Sequence, residues 1–189
     1  MTMRHGAVAV SAAMLLALAG CASPQALREV SYNASYPAFA SVSELLSTAT
    51  LVVEGTVLAS TVREIDISSK PTGAAADDPR LNPAADQHAP SLMVHAVHTL
   101  RIDRAIKGRA VASSTLEVKE PGGTLGDTNY VTAEGVVLRD GQTYVLFLET
   151  YEATPASLLN PIQAVYHRSD GKLSAMPGNS LDAQDVAKL

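Results

Sequence analysis

Residues 141–149 read Gly-Gln-Thr-Tyr-Val-Leu-Phe-Leu-Glu, and this stretch decides the fold class. Tyr144, Leu146 and Leu148 alternate with Val145 and Phe147, so a strand here is apolar on both faces. A two-sided apolar strand belongs in the middle of a sheet with both faces covered. Asp140-Gly141 ahead of it is a hairpin-turn pair, with residues 131–138 as a weaker incoming strand. The second face needs a cover, and a short helix over residues 42–49 can supply it through Leu45 and Leu46. Ser41-Val42-Ser43-Glu44 is a capping box, a serine N-cap with glutamate three residues on.

Working outward, Leu51 to Leu58 reads as a strand extending to Glu64, with Leu51, Val53 and Val57 on one face. Gly55 interrupts it and marks a bulge or a close backbone approach. Leu92 to Asp103 is the clearest strand. Leu92, Val94, Ala96, Leu100 and Ile102 share a face, and Met93, His95, Thr99, Arg101 and Asp103 lie opposite. Arg104 to Lys107 reads as one helical turn stopped by Gly108. Residues 115–119 alternate as a half-buried strand, Pro121-Gly122-Gly123 is a turn and residues 124–130 are loop. Residues 162–167 and 172–175 pair through an Asp170-Gly171 turn, and Ser180 is a candidate cap for a terminal helix through Val186. Six or seven short strands at short spacing predict a mainly β fold, a small antiparallel barrel or a sandwich, with a short N-terminal and a C-terminal helix.

Residues 68–90 have a different character: four prolines, the Asp77-Asp78 pair, an alanine run and little bulk. They cannot bury enough apolar surface to offset their ordering entropy, so they read as a disordered insertion between two strands. The expected organisation is a signal segment over 1–20, a flexible tether over 21–35, the β domain over 36–176 and a tail over 177–189.

The signal reading rests on residues 1–21. Arg4 lies in a short polar start, residues 6–19 are apolar apart from Ser11, and the run closes on Leu18-Ala19-Gly20-Cys21. The apolar run is shorter than the ~18–25 residues of a spanning helix. Leu-Ala-Gly-Cys resembles the lipobox of bacterial lipoprotein signal peptides. That resemblance implies that Leu18, Ala19 and Gly20 are recognised, that Cys21 receives a diacylglycerol thioether, and that cleavage leaves Cys21 at the mature N-terminus. A cell-envelope location on the extracytoplasmic face of a membrane follows from it. The plainer alternatives are a buried thiol after an ordinary signal peptide, or the end of an uncleaved helix. Two or more long chains on one cysteine anchor stably, where a single myristoyl chain binds marginally. The β segments "LVVEGTV", "IDRAIKG", "LEVKEPGG" and "GQTYVLFLE" together resemble exported bacterial domains of the oligonucleotide/oligosaccharide-binding (OB) barrel type, in its netrin-like variety. That resemblance covers residues 36–176 and implies a fold, with no catalytic residue to carry over.

Composition narrows the function classes. The chain has 189 residues, 14 basic and 19 acidic groups, a net charge of −5, and a single cysteine. One cysteine excludes an internal disulfide framework and any multi-cysteine metal site. The acidic balance argues against a nucleic-acid partner. Removing residues 1–20 takes away Arg4 and leaves −6, so lipid and not charge must hold the chain to an anionic surface. Six tyrosines, two phenylalanines and no tryptophan are a thin supply for stacking sugars.

No catalytic or cofactor signature stands out. His95 and His98 are three apart, which on a strand sends them to opposite faces, so they are no natural chelate. His98 falls on the apolar face, where a core histidine satisfied by backbone is the plainer reading. Asp77, Asp78, Asp86 and His88 lie in a segment with no preorganisation for a metal. Glu117 and Glu120 read as an exposed edge, and neither Gly122-Gly123 nor Gly135 opens a phosphate-binding helix. Arg101, Arg104, Lys107 and Arg109 form a small basic group that could meet an anionic partner or ligand, against the plainer reading of a solvated face. Three functions remain. The first is a non-enzymatic, lipid-anchored envelope module binding an unidentified protein or ligand. The second is an envelope hydrolase assembled around His98 with a serine and a carboxylate. The third, a netrin-like protease inhibitor, fails chemically if Cys21 is acylated.

Overall fold

A computed structural model of the chain describes residues 26–33, 35–68, 91–135 and 137–189. The signal segment, Leu18 to Cys21 and nearly all of the 68–90 insertion, with Asp77, Asp78, Asp86 and His88, lie outside the described residues. The fold is mainly β. In chain order it comprises β1 (Arg28–Ser31), α1 (Val42–Thr48), β2 (Leu51–Asp66), β3 (Leu92–Lys107), β4 (Thr115–Pro121), β5 (Gly123–Leu125), β6 (Thr128–Val131), β7 (Thr143–Glu149), β8 (Ala156–Leu158), β9 (Val165–Ser169), β10 (Lys172–Ala175) and α2 (Ala183–Val186).

Seven strands form one sheet in the order β10-β9-β7-β2-β3-β4-β8, and β8 pairs β7 as well as β4. Val118 faces Ala156 in parallel, and Leu148 faces Leu158 in antiparallel register. These two contacts partly close the sheet into a ring of β7, β2, β3, β4 and β8. β7 sits centrally between β2 and β9, and Tyr144 to Leu148 are all buried. One of its faces joins an inner core with Leu51, Val53, Val57, Leu100, Ile102 and Val118. Val145 and Phe147, on the other, pack with Leu45, Tyr166 and Val186 beneath α1 and α2. Burying such a side chain contributes roughly 1.5–3 kcal/mol, so these two clusters dominate the fold.

Ser41 caps α1, accepting from Glu44 N at 3.1 Å, while Glu44 Oε2 accepts from Ala40 N at 2.8 Å, one residue ahead of the usual capping-box partner. Gly55 is needed at its bulge, because a Cβ there would lie 2.7 Å from the Arg101 carbonyl oxygen.

The structure departs from expectation in five places. Arg104 to Lys107 continue β3 as strand, because β2 pairs with them up to Val52↔Lys107. Residues 123–131 are a hairpin, β5–β6, and residues 132–139 carry no strand among those described. Residues 28–31, inside the expected tether, form β1 parallel to β6. β8 had no alternation to reveal it. Asp182, not Ser180, caps α2, its side chain accepting from Gln184 N at 2.8 Å.

Candidate functional site

β2, β3 and β4 run side by side, and their register sets three polar residues in a row. Ser60 lies opposite His98, and Glu120 lies opposite Ala96, two residues along the same face of β3. A bulge between Val57 and Ala59 makes this possible. Simple alternation from Val57 would turn Ala59 and Thr61 inward; the extra residue turns Ser60 and Val62 inward instead.

His98 is 1% exposed and Glu120 3% exposed. His98 Nδ1 is 2.7 Å from Ser60 Oγ, and Nε2 is 2.9 Å from Glu120 Oε2, an ion-pair distance off the straight line of a hydrogen bond. Glu120 is held in turn by the backbone N–H groups of Val137 at 3.0 Å and Leu138 at 3.1 Å. Ser60 Oγ also donates to Asp140 Oδ1, from the turn before β7. Carboxylates only accept, so Ser60 Oγ–H serves Asp140, while His98 Nε2, though close to Glu120, makes no hydrogen bond among the described residues. Glu120 is thus no exposed edge. Glu117 is half exposed, and pairs with Arg63 at 2.6 Å.

Serine, histidine and carboxylate in contact are the elements of nucleophilic catalysis. The row departs from a working triad in two respects, the first being that Ser60 Oγ–H is given to Asp140 and not to His98. Second, Val137 and Leu138 N–H, neighbouring backbone donors of the kind an oxyanion needs, are both occupied by Glu120.

On the opposite face of β3, His95 is 3% exposed and donates from Nδ1 to the Met93 carbonyl at 2.9 Å. A carbonyl can only accept, which fixes the proton on Nδ1 and leaves Nε2 as a bare acceptor. Among the described residues Nε2 has no hydrogen-bond partner. Burial, with the Lys119 charge adding to it, holds the His95 pKa below the ordinary histidine value despite its backbone bond. His95 lines a cavity of about 70 Å³ with Tyr36, Lys119, Glu120, Pro121, Gly135, Ser157, Leu158 and Pro161. Lys119 Nζ donates to Thr154 Oγ1 at 2.7 Å and sits 4.3 Å from the Tyr151 ring centre. Burial lowers its pKa, with Glu149 opposing.

The basic residues do not converge. Arg101 pairs with Asp103 at 2.9 Å, and Arg104 meets Glu54 at 3.4 Å. Lys107 Nζ donates to the Leu46 and Ser47 carbonyls at 2.6 and 3.0 Å, closing the C-terminal end of α1. Arg109 is exposed beyond the end of β3. Each of the first three is committed to a local acceptor, as extended backbone spreads over several contacts what a helical turn would gather. No group of three or more metal-ligating side chains occurs among the described residues, and no helix among them is long and apolar enough to cross a membrane.

Comparison with protein-family models, with curated proteins and with solved structures found no match to this chain.

Proposed function

We propose that the protein is a lipid-anchored lipoprotein of the bacterial cell envelope whose β domain is a non-enzymatic module for binding a partner or ligand. The observation that carries this reading is the order of features at the start of the chain: Arg4, the apolar run, and Leu18-Ala19-Gly20-Cys21. β1 begins at Arg28, so only six residues separate it from Cys21. That spacing reaches at most about 25 Å and would keep the β domain close to the bilayer. The pairing of β8 with both β4 and β7 supports a small OB-like barrel as its frame. Detergent-phase partitioning of the wild type beside Cys21→Ala tests the anchor. The wild type enters the detergent phase and the variant stays aqueous; a variant that still partitions with detergent contradicts it.

A second reading, an envelope hydrolase, is favoured by one observation, the contact of Ser60, His98 and Glu120. Ser60 would be the nucleophile, His98 the base and Glu120 the orienting carboxylate. A panel of ester, glycoside and peptide substrates decides it. Turnover lost in Ser60→Ala supports a hydrolase, and absence of turnover in the wild type removes it.

A further inference from the structure

His95 and Lys119 present an unusual combination on the outer face of the β3–β4 pair. Both are more than nine-tenths buried, and both line the same small cavity. Their register places Lys119 opposite Val97, diagonal to His95 on the same face, with Pro121 directly opposite His95. Each can carry positive charge. Among the described residues Lys119 Nζ bonds a neutral hydroxyl, Thr154, and no partner is within bonding distance of His95 Nε2. The groups around His95 offer little compensation. Arg63, its register partner on β2, is cationic and bound to Glu117. Glu120 also lines the cavity, but its two carboxylate oxygens accept from Val137 and Leu138 N–H and lie toward His98 on the other face of β4. Tyr36 lines the cavity from the segment ahead of α1 and feels Glu134 and Glu120. Glu149 acts on Lys119 and accepts from Tyr151 at 3.0 Å. Two desolvated basic groups facing a cavity, with no carboxylate bonded to either among the described residues, are an arrangement short of one anion.

We propose that this cavity binds a small carboxylate, which accepts hydrogen bonds from Lys119 Nζ and from His95 Nε2, with one proton taken up from solvent at Nε2 as the anion enters. A space of about 70 Å³ holds an acid of roughly two or three carbons, or the carboxylate head of a longer ligand. A carboxylate fits better than a neutral amide. It supplies the charge that both bases lack, and the Nδ1–H bond to Met93 keeps the ring oriented to donate from Nε2 once protonated. Leu158 and Pro161 give the site an apolar wall for the acid's methyl or methylene carbon.

The inference rests on the ligand-binding half of the reading above and not on the anchor, which is tested separately at Cys21. Calorimetric titration of the full chain in detergent micelles, with sodium acetate as probe and acetamide as its neutral isostere, tests it. Runs at about pH 6 and about pH 8, in two buffers of different ionisation enthalpy, count the protons taken up. The expected result is saturable acetate binding that tightens up to about tenfold per pH unit on acidification, with close to one proton absorbed. Acetamide should bind at least about tenfold more weakly. His95→Asn keeps a donor for the Met93 carbonyl but deletes Nε2, and should abolish the pH dependence and the proton uptake. Lys119→Met should weaken acetate by about tenfold or more at both pH values. Thermal melts of both variants check that they fold. Absence of saturable acetate binding, equal binding of acetamide, or acetate binding that ignores both substitutions would overturn the proposal.

Discussion

His95 and His98 lie three residues apart on β3, are almost equally buried, and differ in what surrounds them. His98 is enclosed by Ser60 and Glu120, with Asp140 and two backbone N–H groups completing the row. His95 has one ring nitrogen fixed by a backbone carbonyl and the other open to a cavity. Burial alone therefore does not mark a functional histidine; the inventory of partners does. The polar row around His98 ties Val137, Leu138 and Asp140 to the sheet through Glu120 and Ser60. A ring nitrogen that faces a cavity instead carries a cost of desolvation that a ligand can relieve.

The contrast breaks most sharply at Glu120. Glu120→Ala strands two backbone donors and His98 in the interior, and should cost about 3–5 kcal/mol, lowering the melting midpoint by roughly 10 °C. A midpoint unchanged within about 2 °C would show that the row stabilises nothing. Next comes a control unrelated to either histidine. Gly108 has φ +85°, and a Cβ there would lie 2.6 Å from the Thr50 carbonyl oxygen. Gly108→Ala should cost about 2 kcal/mol in a denaturant titration. Ser60→Ala, at the solvent end of the row, should cost only about 1 kcal/mol.

His95 supplies a test of sign. Its pKa in the folded chain lies below the value of 6.5 that it takes when unfolded, so in acid the unfolded chain binds the proton first. Stability should be fully present above that unfolded value and fall as pH drops toward the folded pKa, levelling out below it. Melting midpoints from neutral pH downward should show that slope, and His95→Asn should flatten it. Added acetate should also flatten it. The smallest effect belongs to Arg101, exposed and paired among the described residues with Asp103 and Thr56. Arg101→Ala should stay within about 0.5 kcal/mol, and a larger loss would mean that the basic group acts as a unit.

Much of the frame was legible from residue patterns. The two-sided apolar run of β7, the alternation of β2 and β3, the Ser41 cap and the Asp170-Gly171 turn each state their geometry locally. Elements held by long-range pairing were not legible. β8 is three residues long and exists because β4 and β7 both reach it. β5 and β6 are short and only partly buried, so they carry weak alternation. Lys107 continues a strand because β2 pairs it there, where local sequence reads as a turn. His98 on the inner face and His95 on the outer were readable by parity. Ser60 was not, since the bulge after Val57 shifts the parity of β2 by one. The exposed Leu58 beside Val57 is the one local mark of that slip. Glu120 was misread for the opposite reason: a glutamate in an alternating stretch looks solvated until its backbone partners, 17 and 18 residues away, are known.

The proposed anchor depends on the state of Cys21. The decisive measurement is intact-mass and N-terminal peptide analysis of the protein purified from a bacterial envelope. The expected product begins at Cys21 and carries a diacylglyceryl thioether. A chain that retains residues 1–20, begins elsewhere, or holds Cys21 as an unmodified thiol would contradict it.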